Sequence, residues 1–414
     1  TLLLVAPLAD ADLARQHDPL MSPILWDLGH IAHFEELWLT RNLDGPVEFV
    51  EMPGLYNPFE HPRRTRGGLA LPRLADVTRT MDEIRARVLE RLAAADFERG
   101  PALVRGGFVY RMVLQHEYQH DETILQTLQL KQGAPYSPAV RRPVPAGRAL
   151  AAPGAMVRFP GGAIEIGTDD RTEAYDNERP RHTVALPPFW IDVTPVTNGE
   201  YRAFVEAGGY RRRELWADEG WRWVEETGAS APRHWTREGG EWITRTMDLV
   251  RPVDPARPVC HVCYWEADAY ARFAGKRLPS ELEWEAAASW DPAGGGKRRY
   301  PWGDEAPTPA HANLDQLAFD TAPVGAYPLN LSPIGCYGMI GDVWEWTSSD
   351  FAGWPGYESW PYAEYSEVFF GTEYKVLRGG SWATRPGAVR NTFRNWDYPI
   401  RRQIFSGFRC ARDA

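Results

Sequence analysis

The sequence predicts two domains of different class, an all-α four-helix bundle followed by an irregular α+β domain. Three observations carry this reading. Apolar residues recur with a helical period between about residues 23 and 132. Residues 134–155 (APYSPAVRRPVPAGRALAAPGA) are rich in Pro, Ala and Gly and show no period. Beyond them, short strand-like runs alternate with Gly- and Trp-rich turns. Such patterns mark amphipathic helices, a linker and a compact α+β fold, respectively. At 414 residues the chain exceeds one ordinary domain. The expected division is 1–135 for the bundle, 136–155 for the linker and 156–414 for the second domain.

Residues 1–20 read as a helix end and loop, and Ser22-Pro23 as an N-cap with Pro at the first helical position. The helix that follows, to about residue 42, places Trp26, His30, Phe34, Leu37 and Trp38 on its buried side. Residues 43–73 form a Pro/Gly-rich loop with Arg63 and Arg66 in HPRRTR. Two arginines in an acidic chain suit a carboxylate ligand, and a solvated turn is the alternative. A helix over about 76–94 carries Val77, Met81, Ile84, Val88 and Leu92 on one face, and another spans about 107–132. With an N-terminal helix these make an up-down bundle, the kind of fold whose metal sites are built from inward side chains of facing helices.

The most informative stretch is VLQHEYQHDETILQTLQL, residues 113–130. Phe108, Met112, His116, His120, Ile124 and Leu128 recur at four-residue intervals and share one helical face. Two imidazoles at i and i+4 can converge on one metal ion. The alternative is a pair of core histidines satisfied by hydrogen bonds. His30 keeps the same interval with Trp26 and Phe34, which makes it the candidate third ligand, with His33 as its competitor. His116-Glu117-Tyr118-Gln119-His120 also fits HExxH, the zinc-hydrolase pattern in which Glu117 would be the general base.

Composition narrows the class. The formal charge of −10 disfavours nucleic acid and anionic membrane as partners. No apolar run approaches the roughly 20 residues needed to span a bilayer, and TLLLVAPLADADLA lacks the basic flank of a signal peptide. Four cysteines are too few for a disulfide framework, so a cytoplasmic location is expected. Cys260 and Cys263 form a CxxC inside the strand-like run PVCHVCYW, with neither a helix start nor a second pair evident, and are expected to be structural. Glu281 and Glu283 read as turn and helix scaffolding.

The stretches FWIDVTPVTNGEYRAFV, GKRLPSELEWEAAA, YPWGD, GMIGDVWEWTSS, VLRGGSW and GFRCARD give the second domain a resemblance to the formylglycine-generating-enzyme (sulfatase-modifying factor) fold, which is related to C-type lectins. The first domain resembles the DinB-like bundle. Together with MSPILWDLGHI, VLQHEYQHDETIL and FRNWDYPIRRQIFSGFRCARD, the combination resembles the iron(II)-dependent sulfoxide synthases of ergothioneine biosynthesis, the EgtB family. The formylglycine enzymes hold copper with cysteines just after the RGGS turn. Here Arg378–Arg385 (RGGSWATR) has none, so the second domain cannot run that chemistry on its own thiols.

The resemblance implies Fe(II) held by His30, His116 and His120, with dioxygen as co-substrate. It implies Tyr362 as the catalytic tyrosine, donating a proton or hydrogen atom, with Tyr357 as the fallback and Tyr365 lining the same site. It implies Gln119, Asn395 and Tyr365 as contacts to trimethylated histidine (hercynine), and Arg63, Arg66 and Asp397 as contacts to the thiol γ-glutamylcysteine. Trp396 counts among the substrate contacts. The implied reaction joins the thiol sulfur to imidazole C2 and leaves one oxygen atom on sulfur. The rivals are the same chemistry with cysteine or a selenosugar as donor, an HExxH zinc hydrolase, and a non-catalytic binding module on the lectin-like fold.

Overall fold

A computed structural model describes residues 1–43, 54–148, 150 and 152–414. The expected 43–73 loop and 136–155 linker therefore lie partly outside the described residues, at 44–53, 149 and 151. Two compact units form. The first comprises Thr1–Ala139, Asp170–Tyr175 and Trp360–Ala363, and the second Val140–Asp169, Asp176–Ser359 and Glu364–Ala414.

The first unit contains α1 (Leu2–Val5), α2 (Asp10–Ala14), α3 (Ile24–Leu39), α4 (Leu74–Ala93) and α5 (Phe108–Gln129). The N-terminal helix of the expected bundle is thus two short pieces. Pro7 interrupts it, having no amide to donate and a ring that crowds the preceding turn. The expected Ser22 cap is also not made. Pro23 occupies the N-cap position without a side-chain bond, and Ser22 Oγ instead accepts a hydrogen bond from Arg66 Nη1 at 2.6 Å. On α4, Val77, Met81, Ile84 and Val88 are buried, while Leu92 is exposed in the last turn. Arg85 of α4 grips Glu35 of α3 through two bonds of 2.6 and 2.9 Å. Gly106 and Gly107 lead into α5 at φ +62° and +78°, a left-handed pair that L side chains resist.

The second unit opens with β1 (Met156–Phe159), β2 (Gly162–Ile166), β3 (His182–Leu186) and β4 (Phe189–Asp192). Helices α6 (Asn198–Glu206) and α7 (Asp218–Thr227) follow, then β5 (Trp235–Glu238), β6 (Glu241–Thr246) and β7 (Leu249–Pro252). Next come α8 (Tyr264–Phe273), α9 (Glu281–Ser289), β8 (Trp290–Asp291) and β9 (Gly296–Lys297). The last strands are β10 (Trp344–Phe351), β11 (Gly371–Arg378), β12 (Asn395–Asp397), β13 (Ser406–Gly407) and β14 (Ala411–Asp413). The main sheet has the order β12-β11-β10-β13, and a second runs β1-β4-β14, so the C-terminal strand closes against an early one. The linker is not a free tether. Arg142 N–H donates to the Leu317 carbonyl at 2.8 Å, and Arg141 pairs with Asp248 at 2.7 Å.

The core combines apolar packing around Phe159, Ile164, Phe189 and Trp284 with buried ion pairs. Glu281 accepts two bonds from Arg394, at 2.9 and 2.8 Å, and Glu345 accepts two from Arg409, at 2.7 and 2.8 Å. Glu283 completes a reciprocal cap with Ser280 and pairs with Arg277 at 2.7 Å. These carboxylates are scaffold. Losing one partner of the Glu281–Arg394 or Glu345–Arg409 pair strands a buried charge, at a cost of about 3–5 kcal/mol. The CxxC run departs from expectation: it is not a strand, and Cys263 is the N-cap of α8. Its thiol is nevertheless unreactive in character, because burial, then the nearby Glu266 carboxylate, push its pKa well above the ordinary value. All four cysteines are free thiols.

Candidate metal centre

Helices α3 and α5 present three imidazoles to one point. Ring centroids lie 5.1 Å apart for His30–His116, 4.8 Å for His30–His120 and 4.6 Å for His116–His120. One ligand nitrogen from each lies within 4.8 Å of the others, and no other such group of His, Cys, Asp or Glu occurs among the described residues. His33 stands outside the cluster, with its ring 6.2 Å from that of Tyr56.

Two of the rings are oriented by their outer nitrogens. His30 Nδ1 lies 3.0 Å from the Tyr56 carbonyl, which can only accept, so Nδ1 carries the proton and Nε2 keeps its lone pair. His120 Nδ1 lies 3.2 Å from Asp27 Oδ1 in the same arrangement. A histidine held this way has one tautomer and one direction, the usual support for a metal ligand. Stacking fixes the ring planes: Trp26 covers His30 at 4.8 Å and 12°, and Phe34 covers His116 at 3.7 Å and 11°. The Arg66 guanidinium lies 3.4 Å from the Trp26 ring centroid. Gly29 permits the Tyr56 contact, because a Cβ there would fall 2.1 Å from the Tyr56 ring.

The donor set fits a divalent cation. Burial, then the neighbouring His120, push His30 and His116 well below the ordinary imidazole pKa of 6.5, so both are neutral at pH 7, the form that ligates. Asp27 is 1% exposed, and its Oδ2 has no hydrogen-bond partner among the described residues. The buried Arg66 guanidinium interacts electrostatically with Asp27, but Oδ2 still lacks a hydrogen bond among the described residues, and a bound cation would add a favourable partner for this buried carboxylate. Without metal, the two lowered histidines should destabilise the fold in acid. The unfolded chain takes up protons at 6.5 that the folded chain refuses, so their contribution is intact above that pH and lost as pH falls below it. Thermal melts of the metal-free protein should drop between pH 7.5 and 5.5, and less steeply in His30→Gln and His116→Gln. An unchanged slope in both variants would count against this origin.

The other expected site residues divide between the two units. In the first unit, Gln119 is half-buried on α5 with Nε2 3.4 Å from Tyr175 Oη. Tyr362 belongs to the same unit, half-buried, with its ring 4.9 Å from Trp38 and 6.4 Å from Phe34. Arg63 is half-buried, whereas Arg66 is buried and already committed, with Nε donating to the His61 carbonyl at 2.7 Å as well as Nη1 to Ser22. Burial lowers its pKa to about 10, so it stays charged at neutral pH. In the second unit, Asn395, Trp396 and Asp397 form β12, registered opposite Leu377, Val376 and Lys375. Tyr365 meets Trp396 edge-on at 5.7 Å, and Asp397 pairs with Arg401 at 3.3 Å. Tyr357 also lies there, donating to Asp176 Oδ2 at 2.8 Å.

Sequence reasoning missed Asp27 and the Tyr56 carbonyl. Asp27 stands three residues before His30 and carried a readable signal, a carboxylate on the buried side of the helix. The Tyr56 carbonyl carried none, since a backbone oxygen has no residue identity.

Comparison with known proteins agrees with this architecture. The Sulfatase-modifying factor enzyme 1-like domain model matches residues 142–414, and the DinB superfamily model matches residues 1–124. The chain is 48% identical to Hercynine oxygenase of Mycolicibacterium thermoresistibile, over 98% of this chain and 90% of that protein. It is 47% identical to Hercynine oxygenase of Mycobacterium tuberculosis, over 98% of this chain and 94% of that one. Formylglycine-generating enzyme of Streptomyces coelicolor is 37% identical over 68% of this chain and 96% of its own length. The N-terminal unit is a DinB-type helical domain, the C-terminal unit has the formylglycine-generating-enzyme fold, and the chain as a whole belongs to the hercynine oxygenase family.

Proposed function

We propose that this chain uses iron(II) and dioxygen to join the sulfur of γ-glutamylcysteine to imidazole C2 of hercynine, giving the S-oxide conjugate of ergothioneine biosynthesis. The observation that carries the reading is the convergence of His30, His116 and His120, two of them with Nδ1 occupied and Nε2 left for a metal. Iron(II) held there supplies a Lewis acid that acidifies a thiol and a source of electrons for dioxygen.

The remaining work falls to the chain. Gln119 lies between two ligand positions on α5 and is assigned to the hercynine imidazole, as are Tyr365 and Asn395. Trp396 is assigned to substrate contact, and Asp397 to the dipeptide. Tyr362 Oη holds the proton or hydrogen atom that the reaction consumes, and its ring packs against Trp38 and Phe34, the latter stacked on His116. Arg63 and Arg66 are assigned to the dipeptide carboxylates. Because Arg66 also supports Trp26, Arg63 is the cleaner probe. Arg63→Ala should raise KM for γ-glutamylcysteine by about 10–100-fold, the loss of one charge-assisted bond. KM for free cysteine should move far less, and equal losses would remove the assignment.

The zinc-hydrolase reading is disfavoured by Glu117, whose carboxylate pairs with Arg85 at 3.2 Å instead of standing ready to activate water. No helix of the described residues is long and apolar enough to cross a membrane. The four free thiols fit a reducing cytoplasm as the place of action. The deciding experiment is anaerobic loading with Fe(II), then dioxygen uptake and product mass with hercynine plus γ-glutamylcysteine, cysteine or a selenosugar. Uptake that needs hercynine and the dipeptide, with the mass of the conjugate sulfoxide, supports the proposal. Turnover only with another donor reassigns the donor, and no uptake with any donor overturns the function.

A further inference from the structure

Strands β10 and β11 are antiparallel neighbours, yet residues 352–370 intervene between them. A hairpin connection is ordinarily two to five residues, and this one is far longer, with only two short 3-10 turns of its own at Ala363–Tyr365 and Glu367–Phe369. Tyr362 lies within it, and Trp360–Ala363 pack as part of the first unit. A long connection that presents one side chain must be closed somewhere, or its tip samples many positions.

The closure is on Asp176. Tyr357 Oη donates to Asp176 Oδ2 at 2.8 Å, and Ser366 Oγ donates to Asp176 Oδ1 at 2.5 Å. One carboxylate thus takes a hydrogen bond from each limb of the connection. Asn177 Nδ2 adds a bond of 2.9 Å to Ser366 Oγ. Asp176 is 1% exposed, which makes these charge-assisted bonds strong. The turn that bears Asp176 is itself anchored. Glu178 accepts from Arg390 Nε at 2.7 Å and from Thr392 Oγ1 at 2.7 Å, and the Asn177 carbonyl accepts from Arg394 Nη1 at 2.7 Å. Arg394 also donates to the Ala352 carbonyl at 2.9 Å, where the connection begins. The Tyr357 ring lies so close to Gly353 that a Cβ there would meet it at 2.9 Å.

We infer that Asp176 is a positioning residue for the reaction: with Tyr357 and Ser366 it staples residues 358–365 into a closed loop and so fixes Tyr362. This rests on the proposed role of Tyr362, but the staple is testable without it. Loosening the loop should let Tyr362 leave its place often enough for oxygen to end on the thiol alone.

The test uses the full chain with Asp176→Asn, Tyr357→Phe and Ser366→Ala, the last two removing one limb each in case the first does not fold. Hydrogen exchange of the metal-free protein should speed up in peptides covering 358–365 by about tenfold, the loss of one hydrogen bond to a charged group. Exchange elsewhere in the sheet should be unchanged. In the iron-loaded enzyme, the ratio of thiol-only oxygenation to conjugate sulfoxide should rise by a similar factor, with little change in KM for hercynine. In the background of Tyr362→Phe the same substitutions should leave that ratio unmoved. Unchanged exchange over 358–365 in all three variants overturns the staple. Faster exchange with an unchanged ratio, while Tyr362→Phe alone does move it, overturns the positioning role. If Tyr362→Phe itself leaves the ratio unmoved, the role of Tyr362 falls, and faster exchange still supports the staple as a structural feature.

Discussion

Replacing Asp27 by asparagine is expected to weaken Fe(II) binding about 10–100-fold, the usual effect of removing the carboxylate behind a ligating histidine. The geometry behind this is specific. Asp27 Oδ1 faces His120 Nδ1 at 3.2 Å, and the other oxygen is buried without a partner among the described residues. Asparagine preserves the shape and can still accept at one atom, but it removes the negative charge that a bound cation would balance. Asp27→Ala should be worse, because His120 then loses its directing partner. His120→Ala sets the ceiling, since only two imidazoles remain to hold the metal. Competition with a chelator gives the affinity directly and needs no turnover. The apo fold serves as the control: Asp27→Asn should still fold cooperatively without metal, at some cost in melting temperature because the buried Arg66 guanidinium loses the charge of Asp27. An affinity unchanged in Asp27→Asn would show that His120 is oriented by its packing alone.

The bundle histidines were legible in the sequence because a four-residue interval is a geometric statement. It fixes His116 and His120 on one face of α5 and His30 beside Trp26 and Phe34 on α3, whatever the rest of the chain does. The orientation of those rings was not legible. It depends on the Tyr56 carbonyl and on Gly29, contacts made by a segment that returns to α3 from 26 residues away. The unused Ser22 cap has the same origin. Local rules assigned Ser22 to its own helix, and the buried guanidinium of Arg66 took its oxygen instead.

In the second unit the turn motifs gave the fold class, but not the roles of its charges. The turn context marks Glu281 as scaffolding but does not name its partner, and only the structure supplies the arginines that hold Glu281 and Glu345. The same limit hid Asp176, whose two hydrogen-bond donors lie 181 and 190 residues away. At Cys263 the structural role was legible and only the strand reading failed. The alternation of PVCHVCYW suggested a strand, whereas the chain turns there to cap α8 through Glu266, with Cys263 N–H donating to its carboxylate at 2.8 Å.

Changing Tyr362 to phenylalanine should divert the enzyme from conjugate formation to simple oxygenation of the thiol. The two products differ in what happens after dioxygen is engaged: joining sulfur to imidazole C2 requires removal of the C2 proton, while oxygenating the thiol does not. A phenol with an ordinary pKa of about 10 holds its proton at neutral pH and can give it, or a hydrogen atom, to a more basic oxygen. Phenylalanine keeps the ring against Trp38 at 4.9 Å and against Phe34 at 6.4 Å, so packing should survive and only the hydroxyl is lost. Loss of one positioned proton donor typically slows the step it serves by about 10²–10⁴-fold. If the competing thiol oxygenation does not need that donor, the conjugate should fall to a minor product while dioxygen uptake persists. Measuring uptake and product masses in one reaction separates this from a dead enzyme. Tyr357→Phe is the internal comparison: Tyr357 bonds to Asp176 in the second unit, so its effect should be smaller and should act through loop exchange. A Tyr362→Phe enzyme that still makes the conjugate at the parent rate would remove the hydroxyl from the chemistry and leave the ring as a packing group.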